Sequence, residues 1–295
     1  MRDNLVIFGP TASGKSSLAL ELAKRYDGEL INMDSMQVYQ TMDIATAKPS
    51  REEMAQVPHH LFDLVLPHED FSSQDYKRMA LRAISDIRSR GKNPILVGGT
   101  GLYLSSLYYD YDFRNKDDEK RNYYNSLLKE EGIERLQELA REGFPELVDK
   151  VDINNPHRLI RLLETGQVLE EKTRSSLPLK VFYLDWEREL LNGRIERRIG
   201  AMIEAGLLEE VEYIFTHYGK MEYLPSIRGI GYKEYFSYLK GTRSLEEAKE
   251  RHLISTRQYA KRQRTWARNQ YSDLVYIDGR LDLEEKIKLI EENWR

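Results

Sequence analysis

The sequence predicts an α/β protein in which a parallel sheet flanked by helices is interrupted by an all-helical insertion. Three observations predict it. Five short apolar runs bounded by turn residues, Leu5 to Phe8, Leu30 to Met33, Ile95 to Val97, Val181 to Leu184 and Leu274 to Ile277, read as strands buried on both faces. Helical patterns lie between them, the alternation of an open sheet whose ligands gather at the carboxyl ends of its strands. From about Asn115 to Ser176 the alternation stops and only helix-like pattern remains. The expected organisation is a core domain at 1–114 and 177–295 and a helical insertion domain at 115–176.

Composition narrows the class. At 295 residues the chain can bury a large core, and its 40% hydrophobic and 32% charged residues are ordinary for a soluble protein. No stretch approaches the ~18 apolar residues of a membrane span. Leu5 to Phe8 is too short for a signal peptide, so a cytoplasmic protein is expected. Zero cysteines exclude disulfides, thiolate nucleophiles and Cys-ligated metals. With 45 Lys+Arg against 49 Asp+Glu the net charge is −4, which opposes a globally basic nucleic-acid binder but not a local basic groove. No oligomerisation pattern is visible, and a monomer is expected.

Directly after the first run, Gly9-Pro10-Thr11-Ala12-Ser13-Gly14-Lys15-Ser16 has two glycines spaced for a phosphate-binding loop, followed by Lys and Ser. Ser17 to Lys24 reads as the next helix, so backbone N–H groups and a helix N-terminus converge on an anion. Lys15 adds a point charge, and the Ser16 hydroxyl suits a magnesium ion. The core is therefore P-loop NTPase-like. The loop specifies phosphate or pyrophosphate without naming ATP.

The second run ends in Asp34-Ser35-Met36-Gln37-Val38-Tyr39, which sets Asp34 at a strand's carboxyl end beside that loop. An ionised carboxylate there can take a proton from a nucleophile, or order a magnesium-bound water. The bland alternative is an N-cap. Gln37 suits a base-edge or backbone contact. The third run enters Val97-Gly98-Gly99-Thr100-Gly101, whose glycines would admit a ligand or merely make a tight turn, with Thr100 offering a hydroxyl.

Within the insertion, Asp117 to Glu142 holds eight acids and five bases and reads as a solvated helical surface. Asn155-Pro156 reads as an N-cap and first-turn proline opening a helix that presents His157, Arg158 and Arg161. From Arg251 to Arg268 there are six Lys/Arg and no acid, and Arg257, Lys261, Arg264 and Arg268 share one narrow helical face. Such a stripe suits a phosphate backbone; the alternative is a solvated face. Tyr259 and Trp266 lie opposite and read as core. Ser226 to Lys233 is a Gly-punctuated basic segment, either a recognition loop or a bend. Arg194, Arg197 and Arg198 could reach a departing phosphate or pair with Glu196 or Glu204. Adjacent His59 and His60 are not a metal site, since neighbours on a strand point apart.

Together these residues resemble the tRNA dimethylallyltransferases, which prenylate the adenosine 3′ of the anticodon. The resemblance spans nearly the whole chain. It rests on the phosphate loop, Asp34 to Tyr39, Thr46-Ala47-Lys48-Pro49, Pro58-His59-His60-Leu61, Val97 to Tyr103, Gly231-Tyr232 and Arg257 to Trp266. It implies that Gly9 to Ser16 hold the pyrophosphate of dimethylallyl diphosphate, with Mg2+ on Ser16. It implies that Asp34 is the base, with Thr100, Arg198 and Lys15 assisting the leaving group. It makes tRNA contacts of Asp34, Ser35, Met36, Gln37 and Thr100, of His157, Arg158, Leu159, Ile160 and Arg161, and of Arg228, Gly229, Ile230, Gly231, Tyr232 and Lys233. The last set is Lys261, Arg262, Gln263, Arg264, Thr265, Trp266, Ala267 and Arg268. The expected partner is the tRNA anticodon stem-loop. Ala45 departs from a glycine common in the family, which bears on local loop conformation.

A small-molecule kinase shares the phosphate loop, the strand-end Asp and the magnesium Ser, but leaves the basic stripe unexplained. A non-catalytic RNA-binding module with a regulatory nucleotide site predicts polyanion binding without product.

Overall fold

Six strands form one all-parallel sheet in the order β3-β2-β4-β1-β5-β6: β1 Asn4–Phe8, β2 Gly28–Asn32, β3 His59–His60, β4 Asn93–Gly98, β5 Leu179–Asp185 and β6 Val275–Asp278. The computed structural model describes residues 3–110, 117–168, 173–221 and 224–294. The five expected runs are all strands. The sixth, β3, is the sequence reading's omission, because two histidines carry no hydrophobic run. They pair only with Leu30 and Ile31 at the sheet edge. Pro94 is tolerated in β4 because pairing of that strand with β1 starts one residue later, at Ile95.

Among the described residues twelve α-helices accompany the strands: α1 Lys15–Arg25, α2 Arg51–Met54, α3 Ser73–Ser89, α4 Gly101–Tyr108, α5 Asp118–Glu131, α6 Ile133–Gly143, α7 Pro156–Thr165, α8 Arg188–Glu204, α9 Leu207–Tyr218, α10 Lys233–Leu239, α11 Leu245–Gln270 and α12 Leu283–Asn293. Capping boxes at Ser72/Asp75 and Ser244/Glu247 fix where α3 and the long α11 begin. The chain divides into two compact units, 1–108 with 176–295, and 109–175. The expected border at 114/115 lies outside the described residues.

In the first unit, Leu5, Ile7, Ile95, Val97 and Phe182 of the sheet pack with Leu18 and Leu22 of α1 and Ile287 and Ile290 of α12. Each such side chain contributes about 1.5–3 kcal/mol by burial. A second apolar cluster joins Val38 and Met42 to α9, α10 and Ala248 of α11, and so fixes the segment after Asp34. The second unit is helical, with Leu136, Ala140, Leu159, Ile160, Leu162 and Leu163 at its centre. Asn155 caps α7 by accepting from the His157 and Arg158 amides, Pro156 is its first residue, and Gly166 ends it at φ 65°.

Candidate active site

Three strand ends converge. β1 runs into the phosphate loop, β2 into Asp34 and β4 into Thr100. Helix α1 starts at Lys15 behind Gly14 at φ 89°, with no side-chain cap and no acid in its first turn, so its leading amides stay available to an anion. Three of the loop's carbonyls are held by side chains: Lys15 Nζ donates to Pro10 at 3.2 Å, Arg194 Nε to Ala12 at 2.8 Å and Trp186 Nε1 to Ser13 at 3.0 Å. Ala12 sits at φ 61°, a conformation costing a non-glycine residue about 1–3 kcal/mol unless its surroundings hold it.

Burial lowers the Lys15 pKa from 10.5 to about 8, helped by the nearby Arg198 charge and opposed by Asp34. The ammonium is poised to gain from an incoming anion. Arg198 Nη1 donates to the Thr11 hydroxyl at 3.3 Å, and burial depresses its guanidinium pKa against the pull of Asp34. Among the described residues Arg198 and Arg194 pair with neither Glu196 nor Glu204; Glu196 goes to Arg257 at 3.4 Å.

Asp34 is fixed on both sides. Its amide donates to Asn32 Oδ1 at 2.8 Å, and its own Oδ1 accepts the Met36 amide at 2.9 Å. That is the bland capping role, but it uses one oxygen and leaves Oδ2 without a hydrogen bond among the described residues. The Thr100 hydroxyl accepts the Ser35 amide at 2.9 Å and reaches Ser35 Oγ at 3.3 Å.

Three cavities meet here. One of 60 Å³ lies between the loop and β2, lined by Lys15, Ser16, Asp34, His59 and Phe62. One of 540 Å³ carries the loop, Lys48, Arg194 and Arg197. One of 330 Å³ is lined by Asp34, Met36, Arg228, Lys233, Tyr259 and Arg262. Arg198 faces all three, so an anion on the loop and a ligand beside Asp34 would share its charge.

Several expectations change. The glycines at the end of β4 are packed closely by the protein itself, although Gly98 also lines the 60 Å³ cavity: a Cβ on Gly98 would lie 2.2 Å from the Met33 carbonyl, one on Gly99 2.2 Å from Gln263 Nε2, and one on Gly101 2.3 Å from the Trp266 ring. They let the protein pack on itself. Gln37 Nε2 is used inside the chain, donating to the Thr46 and Ala47 carbonyls at 3.0 Å each. The basic stripe is not acid-free in space. Arg264 and Arg268 reach Asp185 at 3.1 and 3.9 Å and Arg257 reaches Glu196, acids supplied by other elements. Leu159, Ile160, Gly229, Gly231, Tyr232, Gln263 and Ala267 are buried, whereas Arg161, Ile230, Arg264 and Trp266 are half-buried and His157, Arg158, Arg228, Lys233, Lys261, Arg262, Thr265 and Arg268 are exposed. Trp266 is half-buried and packs over Gly101, and Tyr259 lines the cavity beside Asp34, next to Thr100 and Gln263. The segment Ser226 to Lys233 is both bend and wall: Gly231 takes φ 97°, and Gly229 lies against Met36, whose Cε is 2.5 Å from where a Cβ would be. Ala45 has no positive φ and needs no glycine. Its amide, with those of Asp43 and Ile44, is held by Glu210.

Sequence reasoning passed over Trp186 and Glu210, since an aromatic after a strand and an acid on an amphipathic helix carry no local signal. His59 and His60 serve the sheet edge. His59 Nδ1 bonds the Val57 carbonyl at 2.8 Å, and His60 Nε2 meets the buried Glu29 carboxylate at 2.7 Å.

The family model described as IPP transferase matches residues 37–270. The tRNA dimethylallyltransferase of Acetivibrio thermocellus is 43% identical, over 97% of this chain and 95% of that one. That of Exiguobacterium sp. is 42% identical, over 97% and 94%. The solved full-length tRNA isopentenylpyrophosphate transferase of Bacillus halodurans superposes with TM-score 0.74 at 37% identity, covering 99% of this chain and 95% of that one. A eukaryotic dimethylallyltransferase, solved in crystallographic snapshots acting on tRNA, gives TM-score 0.81 at 29% identity, over 99% of this chain and 76% of that one.

Proposed function

The chain belongs to the IPP transferase family, and from that premise we propose that it transfers the dimethylallyl group of dimethylallyl diphosphate to N6 of the adenosine 3′-adjacent to the anticodon of a tRNA, releasing diphosphate. The observation that carries the reading is the shared cavity in which Asp34 faces Lys15 and Arg198 across the mouth of the phosphate loop.

The diphosphate lies on the free amides of Gly14 to Ser16 at the start of α1, with Lys15 and Arg198 on its oxygens. The adenosine leaves its stack and enters the cavity beside Asp34, because its amine cannot reach a carbon electrophile inside a stacked loop. The amine nitrogen forms a bond to C1 of the allyl group. The C1–O bond breaks, its electron pair goes to the diphosphate, and the amine proton passes to the Asp34 carboxylate. Alignment and charge stabilisation of the leaving group supply most of the rate. Magnesium fits the loop. Among the described residues the Ser16 hydroxyl, which faces two cavities, has no hydrogen-bond partner, and no group of three His, Cys, Asp or Glu could hold a metal. The ion would rest on one hydroxyl, diphosphate oxygens and water, and when bound would neutralise charge on the leaving group.

The stem-loop is held by the exposed cations of α11, by Arg228 and Lys233, and by His157 and Arg158 of the helical unit, which is proposed as the part that grips the anticodon stem-loop. Among the described residues no helix is long and apolar enough to cross a membrane. The enzyme is proposed to act as a monomer in the cytoplasm, where tRNA is found.

The test is the mass of the digested nucleosides after incubation with dimethylallyl diphosphate, magnesium and an unmodified tRNA. The adenosine beside the anticodon should gain one dimethylallyl group, and a tRNA with guanosine there should gain none. Prenylation elsewhere, or none, refutes the reading.

A further inference from the structure

We propose that Gln263 is a positioning residue for this transfer: a buried amide that locks the first turn of the phosphate loop to the turn carrying Thr100. The inference rests on the site reading above. Gln263 lies on α11 among Lys261, Arg262 and Arg264, yet only 4% of it is exposed. Its Oε1 accepts the Thr11 amide at 2.9 Å and its Nε2 donates to the Gly99 carbonyl at 2.8 Å. Both halves of the amide are engaged, and a backbone N–H on one side with a carbonyl on the other allows one orientation only.

Pairing of β1 with β4 ends at Phe8 and Gly98. Just beyond it the two turns diverge, one to the leaving group and the other to the nucleophile and its base. Gln263 bridges them at that point. Thr11 in turn takes Arg198 on its hydroxyl, and Thr100 takes the Ser35 amide. The contact is close: a Cβ at position 99 would lie 2.2 Å from the Gln263 nitrogen and 3.0 Å from the Gly9 carbonyl oxygen, so a larger residue there must displace the amide. A displacement of roughly 1 Å between loop and turn is enough to spoil in-line attack.

The experiment compares wild type with Gln263→Leu, Gln263→Glu, Gly99→Ala and the double variant Gln263→Leu/Gly99→Ala. Pre-steady-state transfer is measured with tRNA and dimethylallyl diphosphate both in saturating excess over enzyme, beside the tRNA Kd. Burst amplitude reports the folded fraction and the rate constant reports geometry. Gln263→Leu should lower the rate constant at least about tenfold and leave the tRNA Kd within about twofold, because the side chain does not reach the surface. Gly99→Ala, which displaces the amide from the other side, should cost a similar factor, and the double variant little more. A wild-type rate constant in Gln263→Leu, or losses that multiply in the double variant, overturns the inference. Should Gln263→Leu not fold, the near-isosteric Gln263→Glu decides through its pH profile: the protonated carboxyl keeps both bonds and the carboxylate loses the donor for Gly99, so a rate that falls relative to wild type as pH rises supports the inference and a profile identical to wild type overturns it. If wild type itself transfers nothing, the reading of the site has failed and the inference with it; if wild type transfers and Gln263→Leu matches it, only the inference has failed.

Discussion

Thr100 holds the Ser35 backbone amide on its hydroxyl at 2.9 Å, one residue after Asp34. The side chain expected at the departing diphosphate thus also fixes the loop that carries the base. Thr100→Ala should lower kcat roughly 10–100-fold, while Thr100→Ser, which keeps the acceptor, should stay within about threefold of wild type. Steady-state kinetics of both variants decide it; equal losses would remove the hydroxyl from the argument.

Asp34 offers one oxygen to Met36 and faces two cavities. Asp34→Ala should lower turnover roughly 10²-fold or more and leave tRNA binding nearly intact. Near-normal turnover would exclude its role as base.

Lys15 is protonated at neutral pH in the free protein and loses its proton as pH rises through about 8. Donor affinity measured by calorimetry should therefore weaken above about pH 8, with proton uptake on binding, because the anion restores the ammonium. The same shift bears on stability. Between about 8 and 10.5 the unfolded chain binds a proton that the folded one lacks, so the penalty is complete below about 8 and fades as pH rises toward 10.5. Lys15→Met should abolish donor binding yet raise the thermal midpoint at pH 7; a lower midpoint would contradict the burial argument.

His252 is buried beside Tyr235, and burial lowers its pKa to about 4. The unfolded chain binds the proton first as pH falls, so stability is lost between about 6.5 and 4. Between pH 7 and pH 5 this group should remove roughly 2 kcal/mol, and urea melts of His252→Gln should show that much less acid sensitivity.

Lys261 is the member of the basic stripe that takes no acid among the described residues. Lys261→Ala should weaken tRNA binding and lower the slope of log K against log salt by about 1. Arg264→Ala, whose guanidinium is held by Asp185, should change the slope less. Equal slopes in the two variants would mean that the ion pair opens when tRNA binds.

The strands legible in the sequence were those whose apolar runs are buried on both faces, and the phosphate loop and Asp34 were legible because strand-to-turn junctions have local signatures. What depends on distant partners was not. The acid that meets Arg264 lies on β5, the residue packed against Gly99 is Gln263 on α11, and β3 is two histidines that become a strand only because Leu30 and Ile31 lie beside them. Helical spacing placed Tyr259 on the side away from the basic stripe, but α11 lies against the ends of the strands, so that side faces the cavity.

The most direct measurement incubates the protein with magnesium, unmodified tRNA and either allyl-labelled dimethylallyl diphosphate or γ-labelled ATP, and counts label in the tRNA and in small molecules. The account predicts allyl label in the tRNA, absent in Lys15→Ala, and no phosphoryl transfer from ATP. Unlabelled tRNA with phosphoryl transfer from ATP would contradict it and make Asp34 the base of a kinase.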